Sequence, residues 1–110
     1  LFADVAELSQ KEGPEGIIRT TLSYNQDSML CHFKLKKGAK IPLHHHKAVQ
    51  TGYVIKGKVE FTRGNIGRFI AKPGSSYLFE EDEEHGAEVL EDSEIIEYFT
   101  PMRPEYADNN

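Results

Sequence analysis

The stretch GAKIPLHHHKAVQTGYVIKG, residues 38–57, sets two turn glycines around a run of three histidines. Apolar and β-branched residues on both sides of the run favour extended chain. There, successive side chains alternate between faces, so His44 and His46 share one face and His45 takes the other. Two imidazoles on one face can share a metal ion. Gln50 lies beyond a straight continuation of the run, and Lys47, Ala48 and Val49 must turn if its amide oxygen is to reach the same side. His85 opens a separate segment after a turn-like loop. A site drawn from two hairpins is feasible in a small barrel, whose inward positions converge at one mouth. Nothing near His32 or His45 completes a site, and both are read as ordinary structural or surface histidines.

Outward from this stretch the chain breaks into short apolar segments separated by turn signals. GIIRTTLSY (16–24) is β-branched and precedes the loop NQDS. MLCHFKLKKG (29–38) alternates, with Met29, Cys31, Phe33 and Leu35 on one face. TGYVIKGKVEFTRGN (51–65) reads as two strands hinged at Lys56-Gly57, and IGRFIAKPG (66–74) ends in a Pro-Gly turn. SSYLF (75–79) meets the acidic run EEDEE (80–84), expected in a solvated loop at the barrel mouth. HGAEVL (85–90) and EIIEYFT (94–100) read as two strands parted by the polar turn EDS. On the last of these, either Ile95, Glu97 and Phe99 face inward, or Ile96 and Tyr98 do; alternation does not choose.

With 110 residues the chain holds one domain, expected as an N-terminal arm or strand (1–15), a barrel (16–100) and a polar tail (101–110). Eight or nine short strands and no helical periodicity indicate an all-β antiparallel sandwich or barrel. A formal charge of -5 without an arginine cluster argues against nucleic-acid binding. No apolar run approaches a membrane span. The single Cys31 allows no internal disulfide, which fits a reducing compartment, and a cytoplasmic location is the expectation. The start at Leu1 suggests that the native N-terminus lies upstream. LFADVAELSQ (1–10) could exchange as a strand with a second copy, so a homodimer is expected.

The spacing from Gly38 resembles the first motif of the cupin superfamily: glycine, five residues, His-x-His, three residues, usually a glutamate, six residues, glycine. Here Gln50 holds the glutamate position. GRFIAKPGSSYLFEEDEEHG (67–86) is similar to the second motif. Gly74 follows Pro73 directly, and Val89 stands where an asparagine is often found. The resemblance implies a double-stranded β-helix, or jelly roll, with a divalent metal (zinc, nickel, manganese or iron) held by His44, His46, Gln50 and His85. An amide ligand leaves such a site more cationic than a carboxylate would. That favours Lewis-acid chemistry over oxygen activation and leaves proton transfer to another group.

Within the cupins, RTTLSY (19–24), the histidine pair with its glutamine, YVIKGKVEFTRG (53–64), HGAEVLED (85–92) and FTPMRPEY (99–106) resemble the small pectin-degradation proteins known as KdgF. That resemblance implies ring opening of 4,5-unsaturated uronic acid monosaccharides to the linear keto form. Glu97 would be the catalytic acid or base, and Phe99 and Arg103 would be substrate-binding residues. The family usually has Asp where this chain has Glu97, one methylene longer. The alternatives are another cupin enzyme, such as a dioxygenase or small-acid lyase, and a non-catalytic metal or small-molecule binding module. The EEDEE run would repel an anionic sugar acid.

Overall fold

The computed structural model describes residues 1–108, so Asn109 and Asn110 of the expected tail lie outside the described residues. The strands are β1 (Lys11–Glu12), β2 (Ile17–Tyr24), β3 (Met29–Leu35), β4 (Lys40–His44), β5 (Val49–Arg63), β6 (Gly67–Ala71), β7 (Ser76–Phe79) and β8 (His85–Thr100). All the pairings are antiparallel. This is the expected all-β jelly roll, with its strands differently divided. The hinge at Lys56-Gly57 does not end a strand, and EDS is not a turn. Both are irregularities inside two long strands that pair along nearly their whole length, from Val49 opposite Thr100 to Arg63 opposite His85.

The register slips between Val54 and Val59, where β5 and β8 bend together. Gly57 makes this possible. Its φ is +92°, and a Cβ there would stand 2.1 Å from Ser93 Oγ and 2.5 Å from the Asp92 carbonyl. Ser93 Oγ accepts from the Lys58 amide at 2.9 Å and donates to the Glu91 carbonyl at 2.6 Å, which closes the bulge without orphaned groups.

On one side of the bend, β5 49–54 and β8 93–100 carry β7, β3, β2 and β1. On the other, β5 59–63 and β8 85–89 carry β6 and β4. The two sheets face each other across a core of Met29, Val54, Val59, Phe61, Phe79, Val89, Ile95 and Phe99. The β8 alternation is settled: Ile95, Glu97 and Phe99 are buried, Tyr98 is exposed and Ile96 lies between. Because the two legs of the bend are of similar length, their far ends meet face to face, bringing His85 on one leg opposite Gln50 on the other.

Residues 1–10 form no strand; Val5–Glu7 is a 3₁₀ turn capped by Asp4, and only Lys11–Glu12 joins the sheet, against β2. The tail is not merely polar. Its 3₁₀ turn Pro104–Tyr106 packs on the barrel, where Tyr106 lies edge-on to Phe33 and Phe99. Arg19 donates to the Tyr106 carbonyl at 3.3 Å and pairs with Asp108 at 2.9 Å, while Thr21 donates to the same carbonyl at 2.7 Å.

Candidate metal centre

His44 ends β4, His46 follows in the loop into β5, and His85 starts β8 directly opposite His44 in register. One ring nitrogen from each lies within 4.8 Å of the others. The other nitrogen, Nδ1, meets a backbone carbonyl in every case: Pro42 at 2.9 Å, Ala48 at 2.8 Å and Glu83 at 2.8 Å. A carbonyl can only accept, so Nδ1 carries the proton and Nε2 is turned to the centre as a lone pair. Burial holds His85 down at about 4 and lowers His46 too, with the Arg103 charge adding to both, so both rings are neutral at physiological pH. Phe79 stacks on His85 at 4.4 Å and within 6° of parallel, fixing the ring plane.

Gln50 completes the set. Its Oε1 stands 2.9 Å from His46 Nε2 and 3.2 Å from His85 Nε2. Its NH2 donates to Glu97 Oε2 at 2.7 Å, so the amide cannot be reversed to donate to the histidines. Oxygen and nitrogen lone pairs thus converge with no proton between them. That arrangement is unfavourable by itself and suited to a cation. The donor set of three imidazoles and one amide oxygen fits a divalent ion. His45, as expected, points away and faces Asp82 at 3.5 Å on the surface.

Behind Gln50 lies Glu97, buried, accepting at the same Oε2 from the Tyr77 hydroxyl at 2.6 Å. Burial pushes its carboxyl up from the usual range, against the two hydrogen bonds and the Arg103 charge. Glu97, Gln50, His44, His85 and Arg103 share the wall of a cavity of about 60 Å³ with Tyr106 and apolar side chains below them. Arg103 lies over the Tyr106 ring at 4.2 Å and Phe99 at 5.4 Å. Its NH2 reaches only the exposed Glu105, at 3.4 Å, and its buried Nε–H has no acceptor among the described residues. Phe99 is not on the cavity wall; it is buried beneath Arg103 and His46, and the aromatics lining the cavity are Phe33, Phe61 and Tyr106.

The sequence reading passed over Tyr77, Arg63 and Arg19. For Tyr77 a signal existed, since it shares a strand face with Phe79. Arg63 is legible only from the register that puts it opposite His85. Its guanidinium grips Glu83 Oε2 through Nε at 2.9 Å and NH2 at 2.7 Å, while Glu83 Oε1 accepts from the Glu80 amide at 2.9 Å. These contacts, the Glu80 amide first, hold the Glu83 carboxyl below its usual range. The Asp82 amide donates to the His46 carbonyl at 2.8 Å. The acidic run therefore braces His46 and His85.

The cupin domain family profile matches residues 31–99. This chain belongs to the cupin domain family. Among solved structures, this cupin is similar to KdgF from Halomonas sp., with 29% identity and a TM-score of 0.88 over 96% of this chain and 98% of that one. An RmlC-like cupin from Shewanella frigidimarina superposes with a TM-score of 0.90 at 23% identity, over 96% and 95% of the two chains. A variant of oxalate decarboxylase from Bacillus subtilis superposes with a TM-score of 0.80 at 22% identity; the match spans 94% of this cupin and 30% of that chain. The last two likenesses concern fold alone. No curated protein sequence matches the chain. No helix among the described residues is long and apolar enough to cross a membrane.

Two outcomes follow for the metal centre. Replacing Arg63 with Met releases Glu83 and loosens His85, so affinity for zinc or nickel, measured by chelator competition, falls about tenfold or more; unchanged affinity would disconnect the loop from the site. In chelator-treated protein, His46 and His85 bind protons more readily unfolded than folded. Their stabilising effect is full above about pH 6.5 and is lost as pH falls towards about 4. Glu97 acts oppositely, its raised carboxyl favouring the fold below 4.5 and costing stability as pH rises through its folded value. In a Glu97→Gln background, which removes the opposing carboxyl, urea midpoints should decline from pH 7 to pH 5; a flat profile there contradicts the burial of neutral imidazoles.

Proposed function

We infer that this cupin is an enzyme that opens 4,5-unsaturated uronic acid monosaccharides to their linear keto form, with zinc, nickel, manganese or iron held by His44, His46, His85 and Gln50. The observation that carries the reading is the buried Glu97 carboxylate, hydrogen-bonded to the amide of Gln50 on the wall of the same cavity. The likeness to KdgF from Halomonas sp. supports it at the level of 29% identity.

A bound divalent ion supplies Lewis acidity beside the substrate oxygens. Glu97 accepts the proton of the hemiacetal hydroxyl as the bond between the anomeric carbon and the ring oxygen breaks. It returns a proton to the former vinyl carbon, so the reaction is a net isomerisation. A carboxyl raised by burial is suited to both steps. Arg103, a cation whose Nε–H lacks an acceptor on the cavity wall, binds the sugar carboxylate as a planar donor pair, with Phe99 backing it. The cavity of about 60 Å³ holds only a few waters, so a sugar acid requires the site to widen.

Glu97→Gln keeps the shape of the side chain and removes the titrating group. Loss of the enol-ether absorbance of unsaturated galacturonate should slow at least 100-fold in metal-loaded protein, with metal content unchanged. Full activity in this variant sinks the mechanism. Oxygen consumption by the iron-loaded protein, without uronate turnover, would point instead to a dioxygenase.

A homodimer belongs to the same reading, now through the outer face of the larger sheet. There Leu78 and Tyr98 flank Thr51, and Tyr53 adds a third large apolar side chain that is more than two-fifths exposed. Light scattering at micromolar concentration should give twice the chain mass; a monomer mass rules this interface out.

A further inference from the structure

The hydrogen bond from Tyr77 to Glu97 spans an entire strand. Tyr77 on β7 and Glu97 on β8 both pair with the same residue of β5, Gly52, one from each side. The tyrosine ring crosses over Gly52 to reach the carboxylate. A Cβ at Gly52 would stand 2.1 Å from the ring carbon Cζ and 2.2 Å from the hydroxyl, so any other residue there would push the ring off this path. The ring cannot drift, because Phe61 lies 4.3 Å and Phe79 5.6 Å from it, centroid to centroid. Burial and the neighbouring Glu97 raise the Tyr77 phenol well above its usual range, so it stays a donor.

The two donors that reach Glu97, the Tyr77 hydroxyl and the Gln50 amide, both fall on Oε2. One oxygen is thereby committed, and the carboxylate plane is set by groups on two other strands. We propose that Tyr77 is a positioning residue for Glu97: with Gln50 it pins Oε2 so that Oε1 is presented to substrate in the cavity. The inference rests on the uronate-opening reading above. It also accounts for the side-chain length at this position. An aspartate would withdraw the carboxylate by ~1.5 Å, one carbon–carbon bond, and could not hold both donors. Tyr77 lying over Gly52 is matched to a glutamate.

Tyr77→Phe removes one oxygen and leaves the ring packed among its aromatic neighbours, so the variant keeps its fold. In metal-loaded protein turning over unsaturated galacturonate, kcat should fall about tenfold while KM stays within twofold. Glu97→Asp should cost at least as much, and adding Tyr77→Phe to it should cost nothing further, since the shorter acid no longer reaches the hydroxyl. An unchanged kcat in Tyr77→Phe, or losses that multiply in the double variant, overturns the proposal. If the wild-type protein does not turn over the sugar acid, the uronate reading fails, and the positioning is tested without substrate. In zinc-loaded protein, the nitrogen-15 resolved side-chain amide of Gln50 should shift in Tyr77→Phe while the backbone spectrum of the distal sheet is preserved. A Gln50 amide unmoved by loss of the hydroxyl overturns the proposal on its own.

Discussion

The candidate site depends on one shared group, the side-chain amide of Gln50. Its oxygen faces His46 and His85, and its nitrogen is bound to Glu97. A carboxylate could supply the first half but not the second, because it has no hydrogens to donate to another acid; a glutamate here would set two negative groups against each other in a buried space. An amide ligand alone would leave a divalent ion with its full charge. Here the missing negative charge stands one hydrogen bond behind the amide, on Glu97. On the proposed reading, the site gives up a carboxylate as ligand and keeps one nearby as an acid or base.

That sharing requires residues from both sheets to meet, and the bend in β5 and β8 brings them together. The legs of each strand fold back on one another with Gly57 and Ser93 at the corner. Apolar side chains fill the space near the corner, and the polar ones stand at the far ends, where the sheets are capped by the tail and the loop before His85. Burial does two jobs here. It packs Phe79 flat against His85, and it withdraws the His85 ring and the Gln50 amide from bulk water. His46 and His85 are consequently neutral, and all three rings are oriented by backbone carbonyls before any ion binds, which lowers the reorganisation that binding demands.

Much of this was legible in the sequence because it is local. Alternation in an extended chain is enough to place His44 and His46 together and His45 apart, and the cupin spacing carries Gln50 and His85 into the same set. What alternation could not do was choose the face of Glu97, since Ile95 and Phe99 compete with Ile96 and Tyr98 on equal terms. Burial against Met29 and Phe79 decides it. The continuity of β8 through Glu91, Asp92 and Ser93 was hidden because three polar residues read as a turn, whereas here they form a bulge whose hydrogen bonds are closed by Ser93. Arg63 and Arg19 escaped notice for a different reason. Their partners, Glu83 and Asp108, are distant in sequence, and only register or tail docking joins them.

The acidic run before His85 looked like an obstacle to an anionic ligand, and its placement changes that judgement. Glu83 is turned inward to Arg63, so part of the charge is met on the spot. Glu80, Glu81 and Glu84 remain exposed, where water and salt blunt their field within roughly 8 to 10 Å. Arg103 is in the opposite situation. It is mostly buried, its weak partner Glu105 is exposed, and its Nε–H is unsatisfied, so its charge acts at short range through a poorly screening interior. On the proposed reading, the surface charge governs how often an anion approaches, and Arg103 governs how firmly it is held once inside. A net negative protein can on these terms bind a small acid well, provided that the binding cation is buried and the repelling ones are not.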